Sequence, residues 1–352
     1  MFSLESELLQ TKSKSNMRET AFTIADGTPV ELITLSAGGY QTKILALGAS
    51  IVDLIVPVAG RPRSVVLGLA GLAGYVEQGR HMGAVAGRCA NRIADGRFTL
   101  DGKSHQLPLN ERGATHLHGG HMGFGRRVWT VEAATDTRVE LSIVSPDGEE
   151  GYPGTVRARC IYALDAAGTL KITLSATTDA PTLVNLATHS YFNLAGSPTI
   201  LDHMLTIPAE HVTPVDARLI PTGELAPVAG TGFDFRAPAR IGEQRARTPS
   251  GFDHNFAVAM AASAEPKRVA RLASPSNDLA MEIWSTEPGV QFYDGQYLPD
   301  GEAFRGRRSA KHAGCCLEPQ RFPDGINHPG FPNTVLRPGE IYHQMTEYLF
   351  IS

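Results

Sequence analysis

Val156-Arg157-Ala158-Arg159-Cys160-Ile161-Tyr162-Ala163-Leu164, then Asp165-Ala166-Ala167-Gly168, then Thr169-Leu170-Lys171-Ile172-Thr173-Leu174 is the stretch that decides the fold. Val156, Ala158, Cys160, Tyr162 and Leu164 recur every second residue, and Leu170, Ile172 and Leu174 resume that period after a turn-forming tetrad. A period of two places the apolar set on one face of a pleated strand, so 155–177 reads as a β-hairpin. Just upstream, Val139, Leu141 and Ile143 alternate with Arg138, Glu140 and Ser142 in the same way. Short runs of strand character follow at 42–58, 183–194, 267–273, 279–285, 289–293, 314–320 and 345–351. Turn signals such as Pro146-Asp147-Gly148, Pro221-Thr222-Gly223 and Pro338-Gly339 divide the chain. Helical periodicity is nearly absent, and 71–79 is expected to make one short helix. Many strands with many turns predict an all-β protein, a large antiparallel β-sandwich, with a barrel as the related alternative. No repeat of fixed length suggests a propeller or solenoid. The Pro-rich segment 205–250 is expected to form long loops over one face.

Composition narrows the function. The 352 residues carry 32 Lys plus Arg against 36 Asp plus Glu, a formal charge of −4, which offers no basic footprint for a phosphate backbone. Nucleic acid is therefore not an expected partner, and a small neutral molecule is. Charged residues are 19% against a usual value of roughly 25%, so the chain is not expected to be disordered. Cys89, Cys160, Cys315 and Cys316 form no CxxC pair, and reduced, buried thiols suit a cytoplasmic protein. No apolar stretch approaches the roughly 18 residues of a membrane span. Glu5 and Glu7 stand where a signal peptide would be basic. Residues 1–17 are expected to be a flexible N-terminal extension and 18–352 a single β-sandwich domain. A monomer and a homodimer are equally compatible with these features.

Candidate chemistry concentrates in a few segments. In Thr188-His189-Ser190-Tyr191-Phe192-Asn193-Leu194, strand parity puts Val184, Leu186, Phe192 and Leu194 on one face and His189, Tyr191 and Asn193 on the other. Solvated faces favour Lys, Glu and Thr, so this trio points to a polar groove. In Cys315-Cys316-Leu317-Glu318-Pro319-Gln320, Glu318 shares a face with Cys316 and Gln320, where partial desolvation would raise its pKa toward that of a useful base. An edge carboxylate in water is the plain alternative. His116 and His118 have the HxH spacing of a metal pair, but no carboxylate follows; Gly119 and Gly120 instead suggest backbone held close to a ligand. No metal or other cofactor is expected. Asn91-Arg92 offers an amide and a planar donor fork, suited to sugar hydroxyls or a carboxylate. Its replacement, Arg92→Ala, is expected to lower catalytic efficiency with little change in melting temperature. Gly251 to Phe256 and Pro288 to Tyr293 mix aromatics with amides and acids, the surfaces a pyranose needs. No GxGxxG, GxxxxGK[ST] or GxSxG motif supports nucleotide or serine-hydrolase chemistry.

Asn91-Arg92-Ile93, Leu117-His118-Gly119-Gly120, Ser145 to Gly154, His189 to Leu194, Gly251 to Phe256, Pro288 to Tyr293 and Leu317-Glu318 occur in this order. Together they resemble the aldose 1-epimerase (galactose mutarotase) family over roughly residues 20–350. The resemblance implies a sandwich of the galactose mutarotase type with a sugar cleft across one face, and interconversion of the α and β anomers of aldohexoses such as glucose and galactose. It implies His189 as general acid, Glu318 as general base and His118 as an assisting group at the ring oxygen and anomeric centre. Asn91, Arg92, Tyr191, Asp253 and Gln291 match positions that hold sugar hydroxyls. Thr188, where many relatives have Asn, and Pro319, where Thr or Ser is common, depart from the pattern beside the catalytic positions. Three other readings stay open: a non-catalytic sugar-binding module, a metal-dependent β-sandwich enzyme using His116 and His118, and a phosphosugar epimerase, which would need a further basic cluster.

Overall fold

The structure is a computed structural model that describes residues 17–77, 81–301 and 303–352. The deciding hairpin forms as Val156–Leu164 and Thr169–Thr178, in antiparallel register from Val156 opposite Thr178 to Leu164 opposite Leu170. Asp165 closes the turn: its Oδ1 accepts the backbone N–H groups of Ala167 and Thr169, each at 2.9 Å. Gly168 completes the turn with φ +92°, a conformation that costs a side-chain-bearing residue far more. Around this hairpin grows a nine-stranded sheet. Its order runs Thr130–Thr135, Arg138–Ser145, the hairpin, Tyr342–Ile351, Ala280–Ser285, Lys267–Ala273, Met204–Thr206 and Ala239–Arg240. The C-terminal strand thus pairs with the hairpin's second strand, a long-range closure that no local pattern announces.

Five N-terminal strands from Arg18–Thr23 to Arg61–Ser64 form a meander. A six-stranded sheet runs Tyr191–Phe192, Cys315–Gln320, Gly289–Tyr293, Asp253–Ala257, His211–Val212 and Ala226–Pro227. One apolar core joins all three: Cys160, Tyr162, Ile172 and Leu174 from the nine-stranded sheet, Ile44, Ile51 and Leu54 from the meander, and Val290, Phe292 and Leu317 from the third. A fully buried aliphatic or Phe side chain contributes about 1.5–3 kcal/mol. A slip of one residue in any strand would exchange this set for its polar neighbours, so the core fixes register. Because Val290, Phe292 and Leu317 face the core, Gln291, Tyr293 and Glu318 must face the other way, and that face carries the candidate site.

Several expectations are corrected. The 71–79 helix reduces to a single 3-10 turn at Leu72–Tyr75, with 78–79 outside the described residues. The one α-helix among the described residues, Ile241–Ala246, lies in the segment read as loops, which also holds short strands such as His211–Val212. The run 42–58 is a hairpin, Tyr40–Leu45 and Ser50–Val58, rather than one strand. The expected N-terminal extension, residues 1–17, lies outside the described residues except for Met17. The Met17 carbonyl accepts the Thr34 N–H at 2.8 Å.

Candidate active site

The polar face of the six-stranded sheet forms one wall of a cavity of about 180 Å³ lined by His81, Asn91, Arg92, Leu117, His118, His189, Tyr191, Asp253, Tyr293, Tyr297, Leu298 and Glu318. Strand register explains the sheet's contribution. Gln291 pairs with Glu318 and with Asn255, while Tyr293 pairs with Cys316 and with Asp253. Pro319 is tolerated in this central strand because its carbonyl accepts the Gln344 Nε2–H at 2.8 Å, on the side away from Gly289–Tyr293. Its missing N–H therefore falls where the ladder has no partner, since Tyr191–Phe192 reaches only Cys316 and Cys315. Thr188 points away from the cavity, its hydroxyl 2.9 Å from that of buried Tyr348.

Glu318 is 2% exposed, and its Oε2 lacks a hydrogen-bond partner among the described residues. Burial pushes its pKa well above the carboxylate range, and the neighbouring Asp253 charge pushes the same way against the opposing pull of Arg92. Across from it stands His189, with Nε2 3.8 Å from Oε2. The His189 backbone is pinned at both ends, its N–H to the Ala84 carbonyl at 2.9 Å and its carbonyl to the Gly83 N–H at 2.8 Å. Its Nδ1 lies 3.5 Å from the Cys316 sulfur, so Nε2 is the nitrogen offered to Glu318 and the cavity. Burial lowers the His189 pKa to about 4. A carboxyl group slow to ionise and an imidazole slow to protonate thus face each other across a space that a hydroxyl-bearing ligand can enter.

His118 and Asn91 are mutually fixed. The His118 N–H donates to the Asn91 carbonyl at 3.0 Å, and the Asn91 N–H donates to His118 Nδ1 at 3.2 Å. Nδ1 therefore accepts, and the neutral ring carries its proton on Nε2. Burial, then the nearby rings of His81 and His189, hold His118 well below the usual imidazole value. Asn91 Oδ1 turns back to the Arg92 N–H at 2.9 Å, leaving its amide N–H groups as donors. Arg92 is held bidentately by Glu111, at 2.7 and 2.8 Å, and reaches Asp253 at 3.3 Å. Asp253 in turn accepts from Gln291 Nε2 at 2.7 Å. Burial works against the Arg92 charge, but Asp253 and Glu111 outweigh it and keep the guanidinium protonated.

All eight residues expected from sequence gather here, with differences in detail. Gln291 holds Asp253 rather than lining the cavity wall. Asn193 is not in the groove: its amide is spent on the carbonyls of Ser197 and Ala313 at 2.8 and 2.7 Å. His118 has φ +50° and follows the last strand residue, so the HxH alternation breaks. His116 instead engages both nitrogens elsewhere, with the Pro108 carbonyl and the Tyr152 hydroxyl, each at 2.8 Å, and is not placed to chelate with His118. The two glycines serve the chain itself. A side chain on Gly119 would strike the Gly87 carbonyl, and one on Gly120 the Glu150 carboxylate, which caps the N–H groups of His121 and Met122 at 3.0 and 2.8 Å. A donor set of mixed type does exist within the site: ligand-type atoms of His189, Cys316 and Glu318 lie within 4.8 Å of one another.

His81, Glu111, Tyr297 and Leu298 lie outside the segments singled out from sequence, whereas Tyr293 closes the expected segment Pro288 to Tyr293. Glu111 had no local signal, because its pairing with Arg92 is made only by folding. That pairing also changes the expectation for Arg92→Ala. Removing one partner of a buried ion pair costs roughly 3–5 kcal/mol. Glu111 keeps the Thr115 hydroxyl at 2.7 Å and a 20% exposed side chain, which favours the lower end of that range. Arg92→Ala is therefore expected to lower the melting temperature by several degrees as well as kcat/KM, and a wild-type melting curve would overturn the structural half of this prediction.

The comparisons with known proteins agree with one another. A sequence model described as aldose 1-epimerase matches residues 31–349. The chain is 45% identical to galactose mutarotase of Rattus norvegicus over 330 residues, covering 92% of this chain and 95% of the relative. It is 37% identical to aldose 1-epimerase of Escherichia coli over 348 residues, covering 96% and 99%. Among solved structures, an aldose epimerase homologue from C. elegans superposes with a TM-score of 0.85 at 28% identity, covering 91% of this chain and 98% of that one. Galactose 1-epimerase from Lactobacillus acidophilus gives 0.83 at 28%, covering 95% and 98%. With sequence and fold matched over nearly its whole length, the chain belongs to the aldose 1-epimerase family.

Proposed function

We propose that the protein interconverts the α and β anomers of free aldohexoses such as glucose and galactose. The observation that carries this reading is the Glu318–His189 pair, a buried carboxyl oxygen with no hydrogen-bond partner among the described residues, 3.8 Å from an imidazole nitrogen on a sugar-sized cavity. Opening the pyranose requires a base at the anomeric hydroxyl and an acid at the ring oxygen. Reaction starts from the minor form of the pair, in which its single proton has passed from the Glu318 carboxyl to His189 Nε2: the Glu318 carboxylate takes the O1 proton while the His189 imidazolium gives its Nε2 proton to O5. The C1–O5 bond breaks, its electron pair stays on O5, and the electrons of the O1–H bond form the C1 carbonyl. Rotation about C1–C2 presents the other carbonyl face. Closure reverses each transfer, so the pair ends with the proton it began with. His118 supplies a neutral Nε2–H donor to the oxygens at this centre. Asn91, Arg92, Asp253 and Tyr191 hold hydroxyls, with Gln291 fixing Asp253.

Arg92 is the one cation among the described residues of the cavity wall, and two carboxylates already claim it. That supports an unphosphorylated sugar over a phosphosugar. Four free, buried cysteines support a reducing, cytoplasmic setting. No described helix is long and apolar enough to cross a membrane. We take the partner to be a small aldose and not nucleic acid, bound by a monomer or homodimer folded as one domain over 18–352. Polarimetry on freshly dissolved α-glucose and α-galactose tests the reading. Acceleration of the drift in rotation is expected, and sugar binding without acceleration would make the protein a lectin-like module.

No step of this chemistry requires a Lewis acid, because the two side chains carry both protons. Extended dialysis against a chelator is expected to leave the mutarotation rate unchanged. Loss of activity restored by zinc or manganese would replace this mechanism with a metal-assisted one.

A further inference from the structure

His81 lies outside every motif that marked the site, yet it lines the cavity. Its ring centroid is 4.6 Å from that of His118 and 6.3 Å from that of His189. The turn carrying it is docked on the acid itself: the Ala84 N–H donates to the His81 carbonyl at 2.9 Å, and the Gly83 N–H donates to the His189 carbonyl at 2.8 Å. His81 Nδ1 is buried against Gly125, without a hydrogen-bond partner among the described residues. The nitrogen left to the cavity is Nε2. Burial, reinforced by His189 and Arg126, takes the pKa of His81 down to about 3, so the ring is neutral and has one proton to place. An N–H turned into a wall with no acceptor would waste that proton, whereas Nε2–H can be met by a ligand oxygen.

We propose that His81 is a specificity-determining residue whose Nε2–H donates to a sugar hydroxyl next to the oxygen met by His118. The inference rests on the proposed function, since it assigns a further contact within the same cavity. Two neutral imidazole donors then stand side by side on one wall, facing the acceptors Glu318 and Asp253 on the sheet. A sugar hydroxyl both donates and accepts, and such a pair of walls satisfies both roles.

The test combines His81→Phe, which keeps a ring against His118 but removes the N–H, with His81→Gln, which restores an amide donor. Mutarotation is measured for galactose and for its monodeoxy analogues, one hydroxyl removed at a time. His81→Phe is expected to lower kcat/KM for galactose about three- to tenfold, the worth of one neutral hydrogen bond. His81→Gln should recover most of that loss. For the one analogue lacking the contacted hydroxyl, wild type and His81→Phe should perform alike. Equal rates for both proteins on every sugar, or an equal loss on every sugar, would overturn the proposal. If wild-type protein fails to accelerate galactose mutarotation, the proposed function falls on its own. Calorimetric affinities of the same proteins for the same sugars then decide the His81 contact by the same pattern.

Discussion

Glu318→Gln is expected to slow mutarotation by about 10² to 10⁴, the usual worth of a positioned general base, while sugar continues to bind. The amide keeps the shape of the carboxyl group and can still hydrogen-bond, but it cannot take the anomeric proton. Because Oε2 has no hydrogen-bond partner among the described residues, the substitution breaks none of their bonds at that atom. The effect on stability has a definite sign. Glu318 is raised well above the ordinary glutamate value of 4.5 by burial and by Asp253. A group whose folded pKa is raised stabilises the fold fully below its unfolded value, and that contribution is lost as pH rises through the folded value. Glutamine carries no such penalty. The variant should therefore melt above the wild type, with a gap that widens from about pH 4.5 upward. Polarimetry and melting curves across pH check both halves. A near-wild-type rate would remove Glu318 from the role of base.

The site was legible in sequence where parity carried it. Cys315 and Leu317 do face the core while Glu318 faces the cavity, and Phe192 and Leu194 are buried in the core opposite His189 and Tyr191. Parity failed where the backbone leaves the strand conformation. The 183–194 segment forms only two-residue strands, Thr182–Leu183, Ala187–Thr188 and Tyr191–Phe192, so Asn193 escapes the groove. His118 likewise turns with a positive φ and leaves His116 to a separate buried contact with Tyr152. The fold class followed from the hairpin at 156–178, since alternation is a local property. The pairing of that hairpin with Tyr342–Ile351 and of Arg92 with Glu111 could not be read, because neither leaves a trace in the spacing of nearby residues. The same holds for His81, which reaches the cavity through the docking of its turn on the His189 backbone.

His189→Asn should cost a similar factor, about 10² to 10⁴, and its pH profile separates a proton donor from a mere wall residue. In the wild type the pair is active with one proton between Glu318 and His189. Below about pH 4, where His189 titrates, a second proton arrives and no base remains. Above the raised Glu318 value the last proton leaves and no acid remains. The wild-type profile is therefore a bell, and its limbs belong to the pair. Asparagine removes the acid and leaves Glu318 alone. The residual rate should then rise with pH through the Glu318 titration and stay high, because there is no imidazolium left to lose. The double variant should lose less than the product of the two single losses, since both groups act in one transition state. An unchanged bell in His189→Asn would place the acid on another residue, with His118 the nearest imidazole, its ring 5.1 Å from that of His189. A rate loss with the bell preserved and sugar affinity weakened in proportion would make His189 a binding group.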